Sequence, residues 1–304
     1  MVEVVGGVGV PHTPHFPRIV DQREPPGLAR EIARLYGEVA RQLRALDPDV
    51  LVVFTADHYN TFFVSSLPVF SIGVAPSAAG PSDYPELPRH RVPIAAALAR
   101  RLQAHLVRAE FDVGVSQEFE FDHPVTVPLH FLTPRMDVPV VPVFIGALCP
   151  PLPSARRCLA LGAAIRAALE TDPDLRLQVE GGRGGRSPRV AALASGSFSL
   201  EIGGPRISDH SHTGVPAPAW FERVLGLLRA GRVGQLVEEA TEQRLAEAGN
   251  AGGELLLWIA MLGMLGPSAP CLLEAQPEFG HAYGAWSQDR RQDHQGRDQP
   301  KGVR

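Results

Sequence analysis

Four runs rich in β-branched and aromatic residues alternate with helical patterns, and this alternation restricts the chain to few folds. The predicted strands are Val2–Val10, Asp49–Thr55, Val138–Ile145 and Arg189–Ala194. Apolar residues at helical spacing occur in three stretches between them, Leu28–Leu46, Ile94–Val107 and Ala155–Leu169. Strands that alternate with helices predict an α/β fold with a largely parallel central sheet.

The composition excludes several classes of protein. The net charge of -4 gives no basic surface for nucleic acid. The longest apolar run, Leu255–Leu265, is too short to span a bilayer, and the N-terminus has no basic region typical of a signal peptide. The 3 cysteines have no C-x-x-C spacing and fit a reducing compartment. We therefore expect a cytoplasmic protein without a nucleic acid or membrane partner.

No linker divides the chain convincingly, so we predict one domain over residues 1–286. The Gly/Arg-rich segment near residues 181–188 has nothing to bury and is predicted to be a flexible surface loop. Residues 287–304 are nearly all polar and are predicted to form a disordered tail.

Histidines follow two of the predicted strands directly. His12 and His15 follow the first strand, and Asp57 and His58 follow the second. In open α/β sheets, ligands bind beyond the carboxyl ends of the strands, and a parallel sheet brings such loops together. The sequence therefore predicts that His12 and His58 meet at this edge of the sheet.

Glu254 is a carboxylate in an otherwise apolar segment. Gly252 and Gly253 precede it, and the residues that follow are apolar on nearly every side, as in a buried helix. A buried carboxylate costs several kcal/mol unless it is paired, hydrogen-bonded or bound to a metal. Glu254 is therefore a candidate metal ligand.

Two imidazoles and one carboxylate form the facial triad of non-haem Fe(II) oxygenases, but the spacing alone is weak evidence. A histidine after a strand is more often a hydrogen-bonded loop residue, and a glutamate at a helix start is more often a cap. Such a set can also hold Zn²⁺ in a hydrolase, although the sequence has no H-E-x-x-H motif. Ligand type does not distinguish Fe(II) from Mn(II).

Four segments in order give the chain a family resemblance. They are VGVPHTPH, TADH, FDHPVTVPLHFL and GGELLLWIAMLG, with SGSFS and GGPR between the third and the fourth. In this order they resemble the class III extradiol dioxygenases, the family of the protocatechuate 4,5-dioxygenase β-subunit. The resemblance covers roughly Val4 to Gly266.

The resemblance implies an αβ sandwich with an Fe(II) site at the carboxyl ends of the strands. Its ligands would be His12, His58 and Glu254, and His123 would donate to substrate or dioxygen. The implied reaction inserts both atoms of O₂ into a catecholic or related hydroxylated or amino-substituted aromatic ring and cleaves the ring. The family is often dimeric, so a homodimer is expected, and some members pair with a small helical subunit.

One position departs from the family pattern. Members commonly carry an acid/base histidine in a G-G-x-S-H type segment, and the corresponding residue here is Leu200. His210, His212 or Glu201 can take over this role, or the substrate can be one that needs no such base. The remaining alternative is a non-catalytic binding protein on the same fold. We also expect His281 and Trp286 to line a pocket from the C-terminal end.

Overall fold

The computed structural model describes residues 2–178, 186–207 and 212–288. Its strands are β1 (Glu3–Val10), β2 (Val50–Thr55), β3 (Phe70–Gly73), β4 (Ser77–Gly80), β5 (His90–Pro93), β6 (Val113–Ser116), β7 (Val140–Ile145), β8 (Arg189–Ser195), β9 (Glu201–Ile202), β10 (Thr213–Gly214), β11 (Leu272–Gln276) and β12 (His281–Ser287). Its α-helices are α1 (Phe16–Val20), α2 (Gly27–Leu46), α3 (Ala96–Arg108), α4 (His123–Leu132), α5 (Ala155–Thr171), α6 (Pro173–Gln178), α7 (Pro218–Arg229), α8 (Val233–Glu239), α9 (Glu242–Glu247) and α10 (Leu255–Leu265).

Eight of these strands form one mixed, mostly parallel sheet in the order β11-β12-β1-β8-β2-β7-β3-β6. The four strands predicted from the sequence are its central strands β1, β8, β2 and β7, which pair in parallel. Strands β12 and β3 join this block in antiparallel orientation. The α/β fold with a largely parallel sheet is therefore confirmed. The outer strands were missed because they are short or lack a continuous β-branched run.

Helices cover both faces of the sheet. Residues of β2 alternate between the two sides, so that Val52 and Phe54 pack with α3, α5 and α10, and Leu51 and Val53 pack with α2 and α4. Every residue of α10 is buried. Its close approach to α5 depends on Gly162, where an added Cβ would lie 1.9 Å from the carbonyl oxygen of Ala260. None of the helices that the structure describes is long and apolar enough to cross a membrane.

Two predicted boundaries need correction. Arg186 was expected to lie in a flexible loop, but its guanidinium lies 2.6 Å from an Asp49 carboxylate oxygen and 3.0 Å from one of Asp47. These two carboxylates hold Arg186 in place near the C-terminal end of the predicted loop. Residues 179–185 lie outside the part of the chain that the structure describes. Ser287 was expected to begin the tail, but it ends β12 opposite Gly6. Residues 289–304 lie outside the described part as well.

Candidate metal centre and active-site cavity

The order of the strands brings the two histidine loops together. Strand β8 lies between β1 and β2, and all three run in parallel. His12 lies just beyond the end of β1, and His58 lies just beyond the end of β2. Their rings are 5.2 Å apart between centroids. The predicted meeting of His12 and His58 at the carboxyl edge is confirmed.

Glu254 reaches the same point from the opposite side. The turn Gly252–Glu254 is a 3-10 helix, and α10 begins at Leu255, so Glu254 precedes the helix rather than lying in its first turn. One carboxylate oxygen, Oε1, lies 3.1 Å from His12 Nε2 and 3.4 Å from His58 Nε2. Three donor atoms from distant parts of the sequence therefore converge.

The arrangement of these three atoms suits a shared metal ion better than it suits direct hydrogen bonds between them. Glu254 Oε1 and His58 Nε2 are both buried, and neither has a hydrogen bond of acceptable geometry. Donors on adjacent positions of an octahedral ion lie about 3 Å apart, since each bond is about 2.1 Å long. The observed separations of 3.1 and 3.4 Å match that spacing. A buried polar atom without a partner is costly, and a shared cation would satisfy all three.

The other oxygen of Glu254 is held in place. The backbone amide of Ser197 donates to Oε2 at 2.8 Å, and the side chain is fully buried. Burial opposes ionisation, but the two histidines outweigh it and hold the pKa of Glu254 below its ordinary value. Only glycine fits at position 196, because an added Cβ would lie 2.6 Å from the Glu254 Cβ. Glu254 is therefore a fixed, ionised carboxylate.

Neighbouring polar groups hold the ring of His12 and the backbone of His58. His12 Nδ1 lies 2.7 Å from the hydroxyl oxygen of Ser195, the last residue of β8. The backbone amide of His58 donates to Asp122 at 2.8 Å. Burial raises the pKa of Asp122 to about 7. A ring hydrogen bond such as that of His12 keeps the other ring nitrogen of a ligating histidine directed at a metal.

His123 is the third histidine at this point. Its ring lies 4.7 Å from that of His58 and 5.4 Å from that of His12 between centroids. His12, His58 and His123 each offer a ring nitrogen, and these atoms lie within 4.8 Å of one another. Geometry alone thus allows His123 either to join the metal ligands or to act beside them.

Asp83 holds the His123 ring. The carboxylate accepts a hydrogen bond from His123 Nδ1 and another from the His123 backbone amide at 3.1 Å. Burial lowers the pKa of His123 to about 3, although the bond to Asp83 opposes this shift. The ring is therefore neutral, with its proton on Nδ1, and Nε2 is free to accept a hydrogen bond or a proton.

A cavity of about 690 Å³ opens over these groups. Its volume lies within the range of small-molecule sites. Side chains from several loops and from α2 form its lining: His12, Thr13, Pro14, His15, Phe16, Leu28, Ile32, His58, Asp83, Tyr84, His123, Ser197, Leu200, Ile202, His212, Thr213, Phe279 and His281.

The remaining predicted residues divide into three groups. His212 and Leu200 line the cavity, and so does His281, whose Nε2 lies 3.0 Å from the Thr13 hydroxyl. Two residues do not line it. Trp286 is buried in the core and donates to the Ser268 carbonyl, and the buried Glu201 accepts from the Asn250 backbone amide at 2.8 Å. His210 lies outside the described residues.

Sequence reasoning missed Asp83, Tyr84 and Ser195. Asp83 and Tyr84 lie between the short antiparallel strands β4 and β5. Their contacts are with His123, a residue far along the chain, and no local pattern points to such a contact. Ser195 carried a usable signal, because it ends a predicted central strand at the same sheet edge as His12.

Comparisons with known proteins show which family the chain resembles. Residues 6–283 match a family model described as the catalytic LigB subunit of aromatic ring-opening dioxygenase. A Paraburkholderia phymatum protein named 2,3-dihydroxyphenylpropionate/2,3-dihydroxicinnamic acid 1,2-dioxygenase is 30% identical over 289 residues, which cover 86% of this chain and 90% of that protein. A protein of the same name from Mycobacterium ulcerans is 30% identical over 269 residues, with 80% of this chain and 84% of that protein covered.

A solved structure agrees on the fold. An uncharacterized protein of Escherichia coli K12 superposes with a TM-score of 0.58 at 15% sequence identity. The match covers 93% of this chain and 99% of that one. At this level of identity the likeness supports the architecture alone.

Proposed function

Because the chain belongs to the LigB family of catalytic subunits of aromatic ring-opening dioxygenases, we propose that it is an Fe(II)-dependent extradiol dioxygenase acting on a catecholic ring. One observation carries the proposal. Glu254 Oε1, which is buried and has no hydrogen bond, lies within 3.4 Å of ring nitrogens of both His12 and His58. Two imidazoles and one carboxylate are the ligand set of non-haem Fe(II) oxygenases.

In this proposal His12, His58 and Glu254 would hold the iron, and two of these residues, His12 and His58, line the cavity. Iron bound there would bring a diol and O₂ together and allow electron transfer between them. Ser195 and the Ser197 amide fix the orientation of the ligands before substrate arrives.

His123 is proposed as an acid/base group beside the iron. Asp83 keeps the ring proton on Nδ1, so Nε2 accepts a proton from an incoming hydroxyl group. The protonated ring is then paired with the Asp83 carboxylate, which stabilises the positive charge. His123 can later return the proton at the same nitrogen to an oxygen atom of the ring-cleaved product.

A second acid/base group is needed if both diol hydroxyls lose a proton. Leu200 cannot supply one, and Glu201 is turned away from the cavity. Of the candidates named from the sequence, His212 lines the cavity and is our proposed group, and His210 stays a candidate from its sequence position. A homodimer and a small helical partner subunit are proposed from the family resemblance alone, and a cytoplasmic location is proposed from the composition.

Anaerobic reconstitution with Fe(II), followed by O₂ uptake, tests the proposal. The panel comprises 3- and 4-substituted catechols, protocatechuate, gallate and 2-aminophenol, with iron content measured separately. We expect one iron per chain, stoichiometric O₂ uptake with at least one catechol and a yellow ring-fission product. Tight iron binding without uptake across the panel would instead support a non-catalytic binding protein. Mn(II) reconstitution in parallel identifies the active metal.

A further inference from the structure

Five apolar side chains form part of the cavity lining. Leu28 and Ile32 lie one turn apart on α2, so both face the same side of that helix. Leu200 and Ile202 flank the start of β9, and Phe279 completes this part of the lining. We call Leu28, Ile32, Leu200, Ile202 and Phe279 the apolar wall.

Three side chains of the apolar wall are exposed. Leu28 is 43% exposed, Ile202 is 49% exposed and Phe279 is 36% exposed. Large apolar side chains gathered at one opening indicate a surface that a ligand covers. A ligand that fills the cavity and contacts all three would remove this surface from water.

Lysine and arginine, the side chains that most often pair with an anionic ligand, are missing from the described lining of the cavity. No lysine or arginine lines it within the ranges 2–178, 186–207 and 212–288. Residues 208–211, which adjoin it in sequence, read Ser-Asp-His-Ser and also contain none. His281 is buried, and burial lowers its pKa to about 3, so that its ring is neutral. The Asp83 carboxylate adds negative charge to the lining.

We propose that the preferred substrate is a catechol with an uncharged apolar substituent, such as an alkyl or aryl group, rather than one whose substituent ends in a carboxylate. This inference rests on the proposed function, because the diol must be held by the metal for its substituent to reach the apolar wall. The relatives named for 2,3-dihydroxyphenylpropionate carry in that name a substrate with a carboxylate. Against the apolar wall such a carboxylate would lose water without meeting a lysine or arginine.

Two substrates of matched length test the preference. They are 3-propylcatechol and 3-(2,3-dihydroxyphenyl)propionate, each titrated calorimetrically into the Fe(II)-loaded protein under argon. We expect the propyl compound to bind about tenfold more tightly, because a buried methyl group replaces an unpaired carboxylate. Equal or tighter binding of the propionate would overturn the inference. A carboxylate that reached the amide groups of the first turn of α2 would produce that result.

A charge introduced into the wall provides a second test. Ile202→Arg should tighten propionate binding and weaken propylcatechol binding, so that the ratio of their dissociation constants changes by about tenfold. Val107→Arg is the matched control, because Val107 is 51% exposed on α3 and does not line the cavity. An unchanged ratio in Ile202→Arg, or the same change in Val107→Arg, would contradict the proposed wall.

Failure of the proposed function can be distinguished from failure of the substituent preference. If no diol binds to the iron-loaded protein and none supports O₂ uptake, the dioxygenase assignment and the inference that rests on it both fall. If diols bind and consume O₂ but the propionate is favoured, the function stands and only the substituent preference is wrong.

Discussion

The Nδ1 atom of His12 lies 2.7 Å from the hydroxyl oxygen of Ser195, so a strand-end serine fixes the ring of a proposed metal ligand. Removal of such a supporting hydrogen bond typically costs about 10- to 100-fold in metal affinity. We therefore expect Ser195→Ala to weaken Fe(II) binding by that factor, measured by competition with a chelator. Ser199→Ala is the control, because Ser199 is also buried but bonds to backbone groups of Ala217 and Ala248. Equal affinities in both variants would remove the role of Ser195.

Glu254→Gln should abolish stoichiometric iron binding. The amide keeps an oxygen for the Ser197 backbone amide but loses the negative charge that faces His12 and His58. Glu201→Gln is the matched control, since Glu201 is equally buried and bonds to Asn250 away from the cavity. Metal analysis after gel filtration measures both. Full iron content in Glu254→Gln would show that the ligand assignment is wrong.

His123→Ala should keep its iron and lose turnover. General acid/base groups contribute about 10²- to 10⁴-fold to rate, so a decrease in kcat of this size is expected with an unchanged iron stoichiometry. Asp83→Asn should produce a smaller decrease, because the ring remains but its proton is no longer fixed on Nδ1. Loss of iron in His123→Ala would instead make His123 a ligand, which the mutual proximity of the three histidines permits.

Leu200→His should raise kcat toward unsubstituted catechol. Leu200 lines the cavity at the position where the family resemblance leads us to expect an acid/base histidine, so the variant adds a titratable group to the lining. Leu200→Asn is the control, since it adds polarity without a proton acceptor of suitable pKa. Steady-state O₂ uptake measures both. If neither variant changes kcat, the second base lies elsewhere or is unnecessary.

Two glycine-to-alanine changes should shift stability in opposite directions. Gly162→Ala places a Cβ 1.9 Å from the Ala260 carbonyl oxygen, so α5 and α10 must separate and the free energy of unfolding should fall by about 1–3 kcal/mol or more. Gly226→Ala on α7 meets nothing within 4 Å and should raise it by about 0.5–1 kcal/mol. Urea denaturation monitored by circular dichroism measures both. A loss of stability in Gly226→Ala would contradict the open surroundings of that residue.

The sequence predicted the centre of the sheet well and its edges poorly. Strands β1, β2, β7 and β8 are buried on both faces, so their apolar runs are long enough to recognise. Strand β6 is only four residues long and its two middle residues are exposed, and β12 contains glycine, histidine and aromatic residues without a β-branched one. Such strands form because an adjacent strand of the sheet offers free backbone hydrogen-bonding groups. No local sequence pattern reveals that contact.

Some residues of the candidate site could likewise be predicted from the sequence, and others could not. His12, His58 and Glu254 were found because two follow central strands and the third is a lone charge in an apolar segment, and the family resemblance joined them. Asp83 and the apolar wall were not found. Leu28 and Ile32 resemble any apolar pair of an amphipathic helix, and only the folded chain reveals that both border a cavity, Ile32 from its buried position in the core.

The apolar wall and the proposed metal ligands belong to separate segments. The ligands lie beyond β1 and β2 and ahead of α10, whereas the wall comes from α2, the start of β9 and the turn before β12. Selection can therefore alter substrate preference by single changes at Leu28, Ile202 or Phe279 while the catalytic apparatus is inherited unchanged. A combinatorial library restricted to these three positions would sample new specificities at little risk to the reaction itself.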